Sequence, residues 1–203
     1  MRRPTSMPRR GREPVAIRSN HYDAAFEDYL RGKRVPYVAV DEQRRALAAD
    51  ASLKSFDFVV TRPAGGTWLV DVKGRRFPTS GGGGKKGGKW ENWVTADDVE
   101  CLLKWETVFG AGSRGVFAFA YDLADGEDAG DPAPFAFGGK RYAFFAVTAA
   151  DYATAMTVRS ASWQTVNLPR AVFAELRVPF ADLLSEVTPA PLPAGPAVAH
   201  TGP

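Results

Sequence analysis

The stretch that decides the fold is SFDFVVTRPAGGTWLVDVKG, residues 55–74. Two apolar runs separated by a Pro-Ala-Gly-Gly turn predict a β-hairpin with strands over 57–60 and 67–72. Successive side chains of a strand point to opposite faces, so Asp71 and Lys73 share a face. Charged groups beside buried apolar residues are costly unless they have partners or a function. The hairpin therefore predicts a polar site.

The elements around the hairpin predict alternating helices and strands. The order is helix, three strands, helix and strand, followed by an extra C-terminal strand and short helices, which indicates an α/β fold. The first helix follows a cap at Asn20, with apolar residues at helical spacing. The remaining predicted elements are a strand over 35–40, a helix over 99–109 capped by Thr95, strands over 115–121 and 142–147, and short helices from Thr148 and over 171–176.

Length and composition indicate one globular domain. The chain has 203 residues, 45% of them hydrophobic, and we expect a folded domain over 19–187 with disordered tails at 1–18 and 188–203. No apolar run reaches the length of a membrane span, and no secretory signal is apparent, so we expect a cytoplasmic protein. The single cysteine, Cys101, excludes an internal disulfide.

Positive charge is concentrated in two segments, although the net charge is only +3. Residues 1–18 hold six arginines and one acid, and residues 73–89 hold six basic residues and no acid. The glycine-rich part, 78–89, predicts a mobile loop. Such a pattern favours contact with a polyanion; alternatively, both segments are solvated and basic for solubility. The candidate nucleic-acid-binding residues are Arg75, Arg76, Lys85, Lys86 and Lys89.

The residues of the hairpin suit phosphodiester hydrolysis. Mg²⁺ or Mn²⁺ takes hard oxygen ligands, and Asp57, Asp71 and the backbone carbonyl of Val72 are candidates. Lys73 would orient the attacking water or bind a phosphate oxygen, and would need a lowered pKa to act as a base. Alternatively, Asp71 and Lys73 form a strand-end salt bridge.

The first helix offers two further acids. Asp23 and Glu27 are four residues apart and lie on one side of the helix, so either is a candidate catalytic residue, and Glu27 a candidate metal ligand. Alternatively, they form a solvated face on which Glu27 pairs with Arg31. Trp90 and Trp93 flank the basic loop and either stack on bases or anchor the loop by burial.

These residues resemble the PD-(D/E)XK nuclease superfamily, of the compact kind that includes archaeal Holliday junction resolvases. The resemblance covers about residues 20–121, and matches Asp57, Asp71 and Lys73 to the two strand acids and the lysine, with Phe56 where the family has proline. It implies a restriction-endonuclease-like core and Mg²⁺-dependent cleavage of DNA, in repair, recombination or restriction.

The first helix carries a second resemblance. The stretch HYDAAFE, residues 21–27, is similar to the signature of the uncharacterised bacterial HYExAFE family, with Asp23 where glutamate is usual. A helical acid seven residues before a leucine, as in resolvase-like members, points to Asp23 before Leu30. Because some superfamily members only bind, a catalytically inactive nucleic-acid-binding module is the alternative. Resolution of four-way junctions would require a homodimer, which no apolar stripe here demands.

Overall fold

The structure, a computed structural model, describes residues 20–40, 46–48, 51–62, 65–78 and 90–185. The predicted tails at 1–18 and 188–203 and the glycine-rich part of the basic loop, with Lys85, Lys86 and Lys89, lie outside the described residues. The division into a domain and two tails therefore stays a prediction.

The first half of the chain forms a helix, an antiparallel meander, a second helix and a parallel strand. The strands of the meander are β1, β4 and β5, and a small hairpin, β2–β3, is inserted after β1. The elements are α1 (His21–Gly32), β1 (Tyr37–Ala39), β2 (Ala46–Ala48), β3 (Ala51–Leu53), β4 (Phe58–Thr61), β5 (Thr67–Arg76), β6 (Val94–Thr95), α2 (Ala96–Phe109) and β7 (Ser113–Leu123).

The second half extends the central sheet and adds short helices. The elements are β8 (Phe135–Phe137), β9 (Lys140–Thr148), α3 (Ala149–Ala155), β10 (Thr157–Ser160), β11 (Thr165–Asn167), α4 (Arg170–Leu176), β12 (Val178–Pro179) and α5 (Phe180–Leu184). The central sheet runs β1-β4-β5-β7-β9-β12, with β8 paired to β9, and a three-stranded sheet runs β10-β11-β6.

This order confirms the predicted fold class. The chain has an α/β, restriction-endonuclease-like core of helix, three-stranded meander, helix and strand, with the predicted extra C-terminal strand (β9) and short helices. Strand β5 pairs with β4 on one side in antiparallel register and with β7 on the other in parallel register. The parallel pairing requires a crossover, which α2 supplies.

The central sheet is covered on both faces. Alternate β5 residues Trp68, Val70 and Val72 join the core that contains α1, whereas Leu69 joins the core that contains α2. Asp71 and Lys73 follow the phase of Leu69 and so point to the α2 face. Strand β7 is buried almost throughout, as expected for a strand covered by helices on both sides.

Local sequence explains where the two main helices begin. The Asn20 side chain accepts a hydrogen bond from the Tyr22 N–H and caps α1. Helix α1 then buries Ala25, Phe26 and Leu30 in the core, following the predicted apolar spacing. At α2, Thr95 is the N-cap, as predicted.

Two parts of the sequence prediction needed correction. Arg75 and Arg76 lie in strand β5, not in the loop, because the strand continues through Gly74 in full register with β7. The β10–β11–β6 sheet was not predicted. Its strands are two to four residues long, too short for an alternating pattern to be recognised.

Strand β5 and helix α1 meet at Gly74, and this contact can be tested. A Cβ atom at Gly74 would lie 2.1 Å from Cδ2 of Tyr22. We expect Gly74→Ala to lower the free energy of unfolding by about 1–3 kcal/mol, because α1 must shift to relieve the clash. Gly32→Ala is the matched control, since its added Cβ has Phe135 as the nearest neighbour at 4.0 Å. Urea denaturation measures both; equal stability of the two variants would contradict the expectation.

Candidate functional site

A buried lysine joins strand β5 to helix α2. Lys73 Nζ lies 2.8 Å from Asp71 Oδ2 and 3.0 Å from Asp98 Oδ2. The three side chains are almost enclosed, with exposed fractions of 15% for Lys73, 13% for Asp71 and 4% for Asp98. Burying three charged groups this deeply costs too much free energy unless the charges are paired. The lysine is therefore part of a compact ion network.

The first turn of α2 holds Asp98 in place. Asp98 N–H donates to Thr95 Oγ1, and Thr95 N–H donates to Asp98 Oδ2, each at 3.0 Å, which is a capping box. The ammonium of Lys54, which is half-exposed, pairs with the other carboxylate oxygen of Asp98. Two lysines and two aspartates thus meet, and their formal charges cancel.

The protonation states follow from these contacts. Burial works to lower the pKa of Lys73, but the charges of Asp71 and Asp98 outweigh it and hold that pKa above its ordinary value. Burial works to raise the pKa of Asp98, yet Lys73, Lys54 and the Thr95 N–H hold it below its ordinary value. For Asp71, burial prevails over the attraction of Lys73 and raises the pKa. Lys73 therefore stays protonated and positively charged, which argues against the predicted option that it acts as a base.

Asp57 lies beside the same segment of β5 but contacts its backbone. It immediately precedes β4, and its Oδ2 accepts a 2.5 Å hydrogen bond from the Val72 N–H, between Asp71 and Lys73 in sequence. The Asp57 N–H in turn donates to the Val70 carbonyl. Asp57 thus caps the end of the β4–β5 ladder, and its carboxylate is brought to the Asp-Val-Lys triplet. Whether Asp57, Asp71 and the Val72 carbonyl share a metal stays a prediction.

A narrow crevice opens beside the ion network. It is lined by Lys54, Ser55, Phe56, Asp71, Asp98, Cys101, Leu102 and Trp105, and these side chains leave no room even for a water molecule. Ligand pockets usually span ~300–1,000 Å³. The crevice is therefore closed to a nucleotide in this structure.

The two helical acids belong to the other face of the sheet. Helix α1 packs on the core that contains Val70 and Val72, opposite Asp71 and Lys73. Glu27 Oε1 pairs with Arg31 at 2.6 Å and accepts a 2.8 Å hydrogen bond from Tyr37. The Glu27–Arg31 pair of the predicted alternative is thus present, but the prediction of a solvated face is wrong, because Asp23 and Glu27 are only 5% and 9% exposed. A ligand role for Asp23 or Glu27 stays a prediction.

The basic residues predicted to bind nucleic acid have different surroundings. The Arg75 guanidinium is half-buried, lies 4.1 Å from the Trp93 ring centroid and donates to the carbonyls of Gly74 and Trp93. Arg76 is exposed at the end of β5. Trp90 packs edge-on against Phe77, Tyr121 and Phe145, as the burial alternative predicted, whereas Trp93 is partly exposed.

Sequence reasoning missed two members of the network, Lys54 and Asp98. The Thr95-x-x-Asp98 spacing is a sequence signal, but it indicates only a helix start. Nothing local indicates that the same carboxylate reaches Lys73, which is 25 residues earlier in the chain. Only the crossover that pairs β5 with β7 brings the start of α2 over the end of β5.

Comparison with known proteins gives a remote structural similarity and no sequence relative. No family model matches the chain, and no curated protein matches it. The first helix therefore keeps only a resemblance to the HYExAFE family. Among solved structures, the chain is similar to Hjc, a Holliday junction resolvase from the archaeal hyperthermophile Archaeoglobus fulgidus. The identity is 14%, the TM-score is 0.46, and the match covers 81% of this chain and 98% of that chain.

Two absences apply to the described part of the chain only. No three or more His, Cys, Asp and Glu side chains come together there in a way that would hold a metal ion. None of the helices in that part is long and apolar enough to cross a membrane.

The ion network predicts that Asp98 stabilises the fold. Asp98→Asn leaves Lys73 short of one countercharge in a buried place, so we expect the free energy of unfolding to fall by about 3 kcal/mol at neutral pH. Glu100→Gln is the matched control on the same helix, because Glu100 is exposed and pairs with Lys104 in solvent. Urea denaturation should show little change for the control. A loss in Asp98→Asn no larger than in the control would contradict the prediction.

The same variant has a pH dependence of known sign. Because folding lowers the pKa of Asp98, its stabilisation is fully present above the ordinary value of 3.8 and is lost as the pH falls through the folded-state pKa. The stability difference between the wild type and Asp98→Asn should therefore shrink below about pH 4. A difference that grew with acidification would exclude this coupling.

Proposed function

We propose that this chain is a divalent-metal-dependent nuclease that hydrolyses phosphodiester bonds of DNA. The observation that carries the proposal is the placing of Asp57 and Lys73 around Asp71. Lys73 Nζ lies 2.8 Å from Asp71. The Asp57 carboxylate accepts a hydrogen bond from the backbone N–H of Val72, the residue between Asp71 and Lys73. Two carboxylates and a fixed cation, brought together where β4 begins beside the middle of β5, are the groups that such a hydrolysis needs.

The donor set fits Mg²⁺ or Mn²⁺. Mg²⁺ is commonly held by one or two carboxylates, with water and substrate phosphate completing its shell, and Asp57, Asp71 and the Val72 carbonyl would provide hard oxygen ligands. A bound cation would neutralise charge on the scissile phosphate and lower the pKa of an attacking water. Asp23 or Glu27 would join only if α1 approached the other face of the sheet.

Lys73 would act as a hydrogen-bond donor and a positive charge. An ammonium has three donors; Asp71 and Asp98 accept two of them, which leaves one for a phosphate oxygen or for the attacking water. Since its pKa is raised, Lys73 would not take up the proton of that water. Asp98 would position the ammonium without touching the substrate, and Lys54 and Thr95 would position Asp98.

The basic residues supply the preference for a polyanion. Arg76 is exposed at the end of β5, immediately before the basic loop. Lys85, Lys86 and Lys89 follow within thirteen positions in sequence. Their charge would draw the DNA backbone towards the end of β5, at a cost in affinity when salt is raised.

Plasmid nicking tests this function. Purified wild type should nick supercoiled DNA in Mg²⁺ or Mn²⁺ and not in EDTA. Asp71→Asn and Asp57→Asn should each slow nicking by about 100-fold or more, since metal and charge stabilisation supply several kcal/mol to the transition state. Glu100→Gln is the control from the exposed side of α2. Equal nicking by the wild type and Asp71→Asn would mean that the cleavage comes from a contaminant.

A second candidate, a nucleic-acid-binding module without activity, is favoured by the Lys73 contacts. Both carboxylates nearest the crevice already face an ammonium, so a metal would compete with Lys73 for Asp71. Calorimetric titration with Mn²⁺ separates the two candidates. The nuclease should bind Mn²⁺ and lose that binding in Asp71→Asn; the module should bind DNA in a salt-sensitive way and show no Asp71-dependent heat.

A further inference from the structure

The β10–β11–β6 sheet carries a groove that the nuclease site does not use. It is lined by Trp93, Arg159, Ser160, Trp163 and Thr165, and its volume is about 480 Å³. This volume lies within the ~300–1,000 Å³ typical of ligand sites, unlike that of the crevice beside Asp71. We call these five residues the tryptophan groove.

Trp163 is the most exposed large apolar side chain of the described residues, with 79% of its surface open to solvent. The backbone at this position is nonetheless held by hydrogen bonds. The backbone N–H of Trp163 donates to Ser160 Oγ at 3.4 Å, and the carbonyl of the next residue, Gln164, accepts a 2.9 Å hydrogen bond from the Ala96 N–H at the start of α2. Gln164 has a φ of 49°, in the left-handed region that few non-glycine residues adopt. The backbone of the turn that carries the indole is therefore fixed beside the start of α2.

Two guanidinium groups lie close to the ring of Trp93, the other tryptophan of the groove. Arg75 lies 4.1 Å and Arg159 lies 5.0 Å from the Trp93 ring centroid. Among the described residues, no carboxylate comes within salt-bridge distance of either one. Burial lowers the pKa of Arg75, and the charge of Arg159 adds a smaller effect in the same direction against the attraction of Glu91. Two close guanidiniums that no carboxylate contacts directly favour an anion at the groove.

A further polar group of the groove also lacks a partner. Thr165 is 6% exposed, and its buried hydroxyl has no hydrogen-bond partner among the described residues. Buried hydroxyls are nearly always hydrogen-bonded, so an exception requires an explanation. A ligand group, or a water that a ligand orders, would supply the missing hydrogen bond.

The groove lies next to the proposed nuclease site along strand β5. Asp71, Lys73 and Arg75 are alternate residues of β5 and so share one face, and Arg75 contacts Trp93 of the groove. Four residues of strand separate Asp71 from Arg75 by about 13 Å. This distance corresponds to about four stacked nucleotides of one strand.

We propose that the tryptophan groove binds unpaired nucleotides, with a base stacked on Trp163 and the adjacent phosphates near Arg159. Exposed aromatic faces beside arginines are the means by which proteins hold single-stranded nucleic acid. A base pair would hide the face that Trp163 needs, so the groove selects a strand that is open next to the cleavage site. This substrate preference rests on the proposed nuclease function, whereas binding by the groove does not require cleavage.

Binding of labelled oligonucleotides tests the groove. Fluorescence anisotropy is measured in EDTA, on an Asp71→Asn background, with oligo(dT) of about 12 nucleotides and with a blunt duplex of equal length. We expect Trp163→Ala to weaken oligo(dT) binding by about tenfold or more and duplex binding by much less. Trp163→Phe should keep most of the affinity, and Arg159→Gln should weaken binding and reduce its salt dependence.

The controls separate this inference from protein damage and from the nuclease function. Arg114→Gln removes another exposed arginine, on β7, and should leave oligo(dT) binding close to that of the parent. Thermal unfolding should be unchanged in Trp163→Ala. Unchanged oligo(dT) affinity in both Trp163→Ala and Arg159→Gln overturns the groove even if wild-type nicking is confirmed. Equal weakening for oligo(dT) and duplex also overturns it. Trp163-dependent binding without any nicking supports the groove and refutes only the nuclease.

Discussion

The structure depends on one buried cation that is shared by two carboxylates. Lys73 connects the middle of β5 to the first turn of α2, because Asp71 belongs to the strand and Asp98 to the helix. The lysine could not stay charged at this depth without the two acids. Asp98 has further support from the Lys54 ammonium and the Thr95 N–H, whereas Asp71 pairs with Lys73.

The same arrangement limits what each residue can do in catalysis. A lysine held between acids is a strong donor and a poor base. Asp57 holds the backbone between Asp71 and Lys73, so the two side chains keep a constant spacing. The crevice beside Asp71 has no room for a ligand in this structure, and the wide groove around Trp93 and Trp163 lies further along the strand face. The proposed hydrolysis at Asp71 and Lys73 and the proposed binding of a nucleic-acid strand at the groove would thus occupy neighbouring parts of one surface.

Much of the fold was predictable because its signals are local. The cap at Asn20, the hairpin turn and the Thr95 cap each lie within a few residues of the element they begin. The site was predictable only in part. Asp71 and Lys73 share a face by strand geometry alone, but the contact with Asp98 depends on a crossover between distant segments. The role of Arg75 was hidden for a similar reason: glycine-rich sequence follows it, yet pairing with β7 keeps it in the strand.

The parallel pairing of β5 with β7 has a consequence for how the chain folds. Thr67 pairs with Ser113, and Asp71 with Phe117, so partners lie 46 residues apart in sequence. Closing so long a loop lowers the conformational entropy of the chain before any stabilising contact forms. Such pairings are therefore expected to form late in folding. Lys73 and Asp98 both lie inside that loop, and their contact forms only once α2 has docked. During synthesis, the site would therefore be absent until the chain has been made well past β7.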